Sequence, residues 1–257
     1  MNKIKDAFKN GKAFIPFITC GDPDIATTKK LITEMAKSGA DIIELGIPFS
    51  DPTAEGPTIQ SANIRALKNG ITTDDIFNMV DEIKQNISVP LVFMTYANVV
   101  FSYGIEKFVK RMVEVGMSGL ILPDVPFEEK QEFAPICEQH DIDFISLIAP
   151  TSHDRIKMIA KSAKGFVYCV SSLGVTGVRS DITSDIGSMI SLVKEANPSI
   201  PCAVGFGIST PEQAAKMTQT ADGVIVGSAI VKLIEQHGAD SVKPVCEYVS
   251  RMKSSIK

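Results

Sequence analysis

One carboxylate, Glu44, stands inside the apolar run Asp41-Ile42-Ile43-Glu44-Leu45-Gly46-Ile47-Pro48. The chain then breaks into a loop that carries Asp51 and Glu55 among Pro52, Gly56 and Pro57. Burying an unpaired carboxylate is costly, so its presence in such a run asks for a reason. Successive strand residues face opposite sides. Ile42, Glu44 and Gly46 therefore share one face, and Ile43, Leu45 and Ile47 share the other. The continuous aliphatic face must meet helices, which turns Glu44 toward an interior. No other β-like run contains Lys or Arg, so the sheet itself offers Glu44 no ion-pair partner. An unpaired interior carboxyl titrates high, which suits it to proton transfer near neutral pH.

Other residue clusters extend this chemistry. Asp124 ends a later run, Leu122-Pro123-Asp124-Val125-Pro126, at the same end of the sheet. It reads equally well as a cap for a helix beginning near 127–129. Gly205-Phe206-Gly207-Ile208-Ser209 and Gly227-Ser228-Ala229-Ile230 each lead from a strand into a helix, and Ser171-Ser172-Leu173-Gly174-Val175-Thr176-Gly177 follows the sixth run. Backbone N–H groups at such turns bind anions, phosphate above all. Phe17, Met94, Tyr96, Ile121 and Tyr168 lie near inner strand ends. They can wall a pocket for an aromatic group or serve as plain core. The three histidines, His140, His153 and His237, have no ligand spacing. No strand lysine is available for a Schiff base, and no Walker pattern occurs. What remains is cofactor-free and metal-free carboxylate chemistry on a phosphorylated substrate.

These groups need a scaffold. Eight β-like runs, at 14–20, 41–48, 90–97, 119–125, 144–149, 166–171, 202–208 and 223–227, alternate with segments of helical spacing. Asp24, Thr72 and Thr210 sit where helix starts are expected. The pattern predicts an α/β fold: a single (β/α)8 TIM-barrel domain over 1–257, with an extra N-terminal helix at 1–9 plugging its base. An open doubly wound sheet lacks its G-x-G-x-x-G turn here. The 257 residues are 44% hydrophobic with a net charge of −4 and no basic patch, which excludes a nucleic-acid role. No uncharged segment approaches membrane-spanning length. The five cysteines, Cys20, Cys137, Cys169, Cys202 and Cys246, are dispersed without a CxxC pair, as expected of reduced thiols in a cytoplasmic protein.

The stretch 44–60 resembles the signature of the tryptophan synthase alpha subunit family, E-L-G-x-P-F-S-D-P-x-A-[D/E]-G-P-x-I-Q. The segments 16–23, 94–98, 124–126, 174–177, 205–209 and 227–231 match in order. The resemblance implies cleavage of indole-3-glycerol phosphate to indole and glyceraldehyde 3-phosphate, a lyase reaction without cofactor. Glu44 then falls at the catalytic glutamate. Glu55 falls where the family most often has an aspartate that accepts from the indole N–H. Thr53 replaces a usual aliphatic residue and is expected to soften the loop's packing. Phe17, Tyr96, Asp124 and Tyr168 align with pocket residues. Thr176, Gly177, Gly205, Gly207, Gly227 and Ser228 align with the phosphate cradle. The family further implies docking on a pyridoxal-phosphate beta subunit in an α2β2 assembly, through Pro48, Asp51, Asn98, Phe101 and Pro126. Two alternatives stay open: a stand-alone indole-3-glycerol phosphate lyase, and a weakly catalytic scaffold that activates a beta subunit.

Overall fold

The computed structural model describes residues 3–170, 182–205 and 207–256. Nine short strands form its sheet: β1 Ala13–Thr19, β2 Ile43–Gly46, β3 Leu91–Met94, β4 Gly119–Ile121, β5 Asp143–Phe144, β6 Ser146–Ile148, β7 Val167–Val170, β8 Cys202–Gly205 and β9 Gly223–Val226. Their order is β5-β4-β3-β2-β1-β9-β8-β7-β6, and every pairing is parallel. The fifth expected run is two strands because the ladder breaks at Ile145. The Ile145 N–H still donates to the Leu120 carbonyl at 2.9 Å. β5 pairs with β4 and β6 with β7, so this one segment joins both ends of the sheet and closes the TIM barrel.

The barrel's two faces separate cleanly. Ala13, Ile15, Ile42, Val92, Ile121, Ile145, Phe166, Tyr168, Ala203 and Ile225 pack together inside it. Phe14, Ile18, Ile43, Leu45, Phe93 and Leu120, from the intervening strand positions, pack outward against the helices. The alternation read for the second strand therefore holds, with Glu44 between Ile42 and Gly46 on the inner face. The N-terminal helix, Lys3–Ala7, is shorter than expected, yet it does plug the base. Ile4 is fully buried in the interior cluster, and the Phe8 ring lies 5.8 Å from that of Phe166.

Helix starts follow the capping chemistry. The Asp24 side chain accepts from the Thr27 N–H. Thr72 with Asp75, and Thr210 with Gln213, each form a capping box that satisfies two otherwise open N–H groups. One helix expected from the sequence is absent: 127–129 forms a turn, followed by a 3-10 turn at Lys130–Glu132 and a helix at Ala134–Gln139. Another is added, Pro57–Lys68, in the segment after β2. Pro57 is preorganised for a helix start, and Ile59, Ala62 and Ala66 give the helix a buried face.

That added helix is fixed by charge. Arg65 grips Asp22 with two hydrogen bonds of 2.8 Å and reaches Glu235 at 2.7 Å. Asp22 is 1% exposed. The guanidinium thus ties the loop after β1, the helix Pro57–Lys68 and the helix Ser228–His237 together. Removing one partner of a buried pair leaves the other charge uncompensated. Arg65→Ala is therefore expected to cost about 3 kcal/mol. Urea unfolding checks this, and a loss below about 1 kcal/mol would mean that Asp22 finds water instead.

Candidate active site

Glu44 lies at the centre of the candidate site. β2 places it on the inner barrel face, opposite Phe17 of β1 and Val92 of β3. It is 1% exposed, and neither carboxylate oxygen has a hydrogen-bond partner among the described residues. Burial pushes its carboxyl up to about 8, and the negative charge of Glu55 adds to the rise. Tyr168, on the inner face of β7, is also buried; burial and then the Glu44 charge raise its hydroxyl.

Glu55 enters from the segment after β2. Burial raises it to about 7, while the Asn63 amide, donating to Glu55 Oε2 at 2.7 Å, pulls the other way. The Glu55 carbonyl also accepts from the Gln60 side chain at 2.8 Å. The two carboxyls thus share one field but differ in support. Glu55 has a donor for its charged form, and Glu44 has none. The hydrogen-bond support makes Glu55 the stronger acid of the two.

The walls follow from the same elements. Phe17 packs with Ile59, Ala62, Val231 and the partly buried Met94. Tyr96 is 2% exposed, stacks with Phe49 at 5.2 Å and accepts from the Ala54 N–H at 3.1 Å, so it pins the loop that carries Glu55. Burial, then the Glu55 charge, raises the Tyr96 hydroxyl. Both oxygens of Asp124 accept from the Ala97 N–H at 3.1 Å. Asp124 thus caps the helix Ala97–Tyr103, across from its own strand, rather than a helix beside it at 127.

On the far side of β1 lie the glycine turns. Gly207 has φ +77° with open space where a Cβ would stand. Gly227 precedes the helix Ser228–His237, whose start has no side-chain cap among the described residues, and helix starts favour anions. Gly205 has a different reason for being glycine: a Cβ there would fall 2.5 Å from the Tyr168 ring. Thr176 and Gly177 lie outside the described residues.

The expected docking positions divide. Asp51, Asn98, Phe101 and Pro126 are exposed, Phe101 to 48%. Pro48, expected on the outward edge, is buried within the chain. Thr53 is exposed, so its departure from the aliphatic pattern removes little packing. Sequence reading missed Asn63. Its signal is a polar residue on the buried face formed by Ile59, Ala62 and Ala66.

The raised Glu44 carries a stability consequence. Its folded value lies above the ordinary carboxylate value of 4.5. Below that ordinary value both states are protonated and there is no penalty. As pH rises to about 8, the unfolded chain releases the proton that the fold retains, and stability falls. Glu44→Gln should therefore be more stable than the parent above pH 8 by a margin that vanishes near pH 4. Urea midpoints across that range test it; a pH-independent margin would show that burial does not hold the proton.

The model of the tryptophan synthase alpha chain family matches residues 4–257. The alpha chain of Lacticaseibacillus casei is 46% identical over 256 residues, covering 100% of this chain and 96% of that protein. That of Clostridium acetobutylicum is 51% identical over 212 residues, covering 82% and 80%. Among solved structures, the alpha chain of Legionella pneumophila subsp. pneumophila has a TM-score of 0.88 at 37% identity, covering 100% of this chain and 97% of that one. Tryptophan synthase of M. tuberculosis in its aminoacrylate-bound form has a TM-score of 0.88 at 31% identity, covering 100% of both chains. A barrel with one sealed inner acid, and likeness along its whole length, lead to one assignment: the chain belongs to the tryptophan synthase alpha chain family.

Proposed function

We propose that Glu44 moves the protons and Glu55 balances the charge in the reaction of this chain. The chain is a carbon–carbon lyase that cleaves indole-3-glycerol phosphate to indole and glyceraldehyde 3-phosphate. The observation that carries the assignment is the Glu44 carboxyl, inner-facing, sealed from water and without a partner among the described residues.

Held neutral, Glu44 gives its proton to indole C3. The ring nitrogen becomes positive, and ionised Glu55 accepts its N–H. Glu44, now a carboxylate, takes the proton of the glycerol hydroxyl next to the breaking bond. The carbon–carbon electrons return to the ring, the hydroxyl carbon becomes the aldehyde, and Glu44 ends as it began. Phe17, Tyr96 and Tyr168 hold the indole, with Asp124 fixing the turn beside them. Gly205, Gly207, Gly227 and Ser228 hold the phosphate, joined by Thr176 and Gly177. A single domain, 1–257, supplies all of these groups.

This division of labour needs Glu44 protonated and Glu55 ionised. The kcat/KM profile should then rise through about pH 7 and fall through about pH 8. Asn63→Ala removes the donor that holds Glu55 down, so the rising limb should move to higher pH. Glu44→Gln should lower kcat by about 100-fold or more; near-normal cleavage by that variant would falsify the mechanism.

A beta subunit carrying pyridoxal phosphate is the proposed partner, in an α2β2 assembly. Asp51, Asn98, Phe101 and Pro126 form the docking edge, and Phe101 is the apolar anchor. Phe101→Asp should weaken beta-subunit binding while cleavage by the isolated chain persists. Indole release should be faster with the beta subunit present. Equal rates would favour a stand-alone lyase.

A further inference from the structure

Four buried side-chain oxygens lack a hydrogen-bond partner among the described residues: both oxygens of Glu44, the Thr19 hydroxyl and the Ser241 hydroxyl. Ser241 belongs to the start of the C-terminal helix. The other three lie on neighbouring strands of one inner face. Ala13, Ile15 and Phe17 point into the barrel, whereas Phe14, Ile18 and Cys20 point out, so Thr19 shares the inward face. The register pairs Phe17 with Glu44 and Thr19 with Gly46. Thr19 is thus the diagonal neighbour of Glu44, one step nearer the mouth. Diagonal Cβ atoms on a sheet face are roughly 7–8 Å apart. An extended glutamate stem carries its oxygens roughly half of that distance, and the threonine Cβ–Oγ bond covers part of the rest, which leaves a gap of hydrogen-bond size. Thr19 is 0% exposed, so bulk water does not serve its hydroxyl.

We infer that Thr19 is a positioning residue for Glu44, its hydroxyl engaging the carboxyl when that group turns toward the mouth for proton transfer. This inference rests on Glu44 as the proton-transfer group. The chemistry suits the task, because a hydroxyl both donates and accepts. It accepts from the carboxylic acid in the resting state and donates to the carboxylate that forms once the ring is protonated. One fixed group thereby serves both protonation states. β1 lies between β2, which carries the acid, and β9, which leads into the Gly227 turn. The glycerol chain that joins ring to phosphate must therefore cross the end of β1, where Thr19 stands.

The unpartnered hydroxyl makes the test sharp. Replacing a buried polar group that has no partner by an apolar one of the same shape costs no stability. Thr19→Val should keep or raise the Tm, leave KM within about twofold, and lower kcat by about tenfold. Thr19→Ser should restore most of kcat. In a Glu44→Gln background, Thr19→Val should have no further effect on residual activity. Full activity in Thr19→Val would overturn the inference. So would a lowered Tm, since it would reveal a resting partner, or an equal loss in both Glu44 backgrounds, since that would mark a general packing role. An active Glu44→Gln single variant would instead overturn the mechanism beneath it.

Discussion

The structure depends on keeping one carboxyl away from water. Glu44 has no compensating donor among the described residues, so exclusion of water by the surrounding barrel, helped by the nearby Glu55 charge, sets its proton affinity. This demands a closed cylinder, and the closure is local. The segment 143–148 bonds β4 with its first part and β7 with its second. It also demands a sealed base, which Ile4 and Phe8 of the N-terminal segment supply. At the mouth the cover is the helix Pro57–Lys68, held down by the grip of Arg65 on buried Asp22. An acid unpaired in a porous barrel would hydrate and return to its ordinary range, and its catalytic use would be lost.

The second carboxyl shows the opposite treatment a short way off. Glu55 is raised less, because it is less deeply buried and Asn63 donates to its charged form. Two glutamates in one field thereby differ in proton affinity. Shallower burial of Glu55 and a single amide, on a helix that the barrel pattern does not require, make the difference. Tyr96 extends the same support: its hydroxyl accepts from the Ala54 N–H and so restrains the backbone just before Glu55.

The strands and their facing were legible because burial on both sides leaves plain marks. The aliphatic face of Ile43, Leu45 and Ile47 dictated where Glu44 must point. Helix starts at Asp24, Thr72 and Thr210 were legible for a similarly local reason, since capping is short-range chemistry. The helix Pro57–Lys68 was hidden by the prolines and glycine before it, which read as a continuing loop. Its buried stripe of Ile59, Ala62 and Ala66 is short, and Asn63 interrupts it. The helix that Asp124 caps was not legible, because its capped partner, Ala97, is 27 residues away in the chain. Pairings between strand ends become visible only once strands are neighbours in space. The burial of Pro48, a position aligned with the docking edge, likewise emerges only in the folded chain.

The position of β1 has a further consequence. Its two edges face unlike neighbours, the acid-bearing β2 on one side and β9, with its glycine turn, on the other. With the roles proposed above, the ring end of a bound substrate is gripped from one side of β1 and its phosphate from the other. The substrate then acts as a strut spanning the two flanks of the barrel mouth. Breaking the bond between ring and glycerol cuts that strut in the middle. The chemical step itself would thus uncouple the two flanks and free each product from the other's grip.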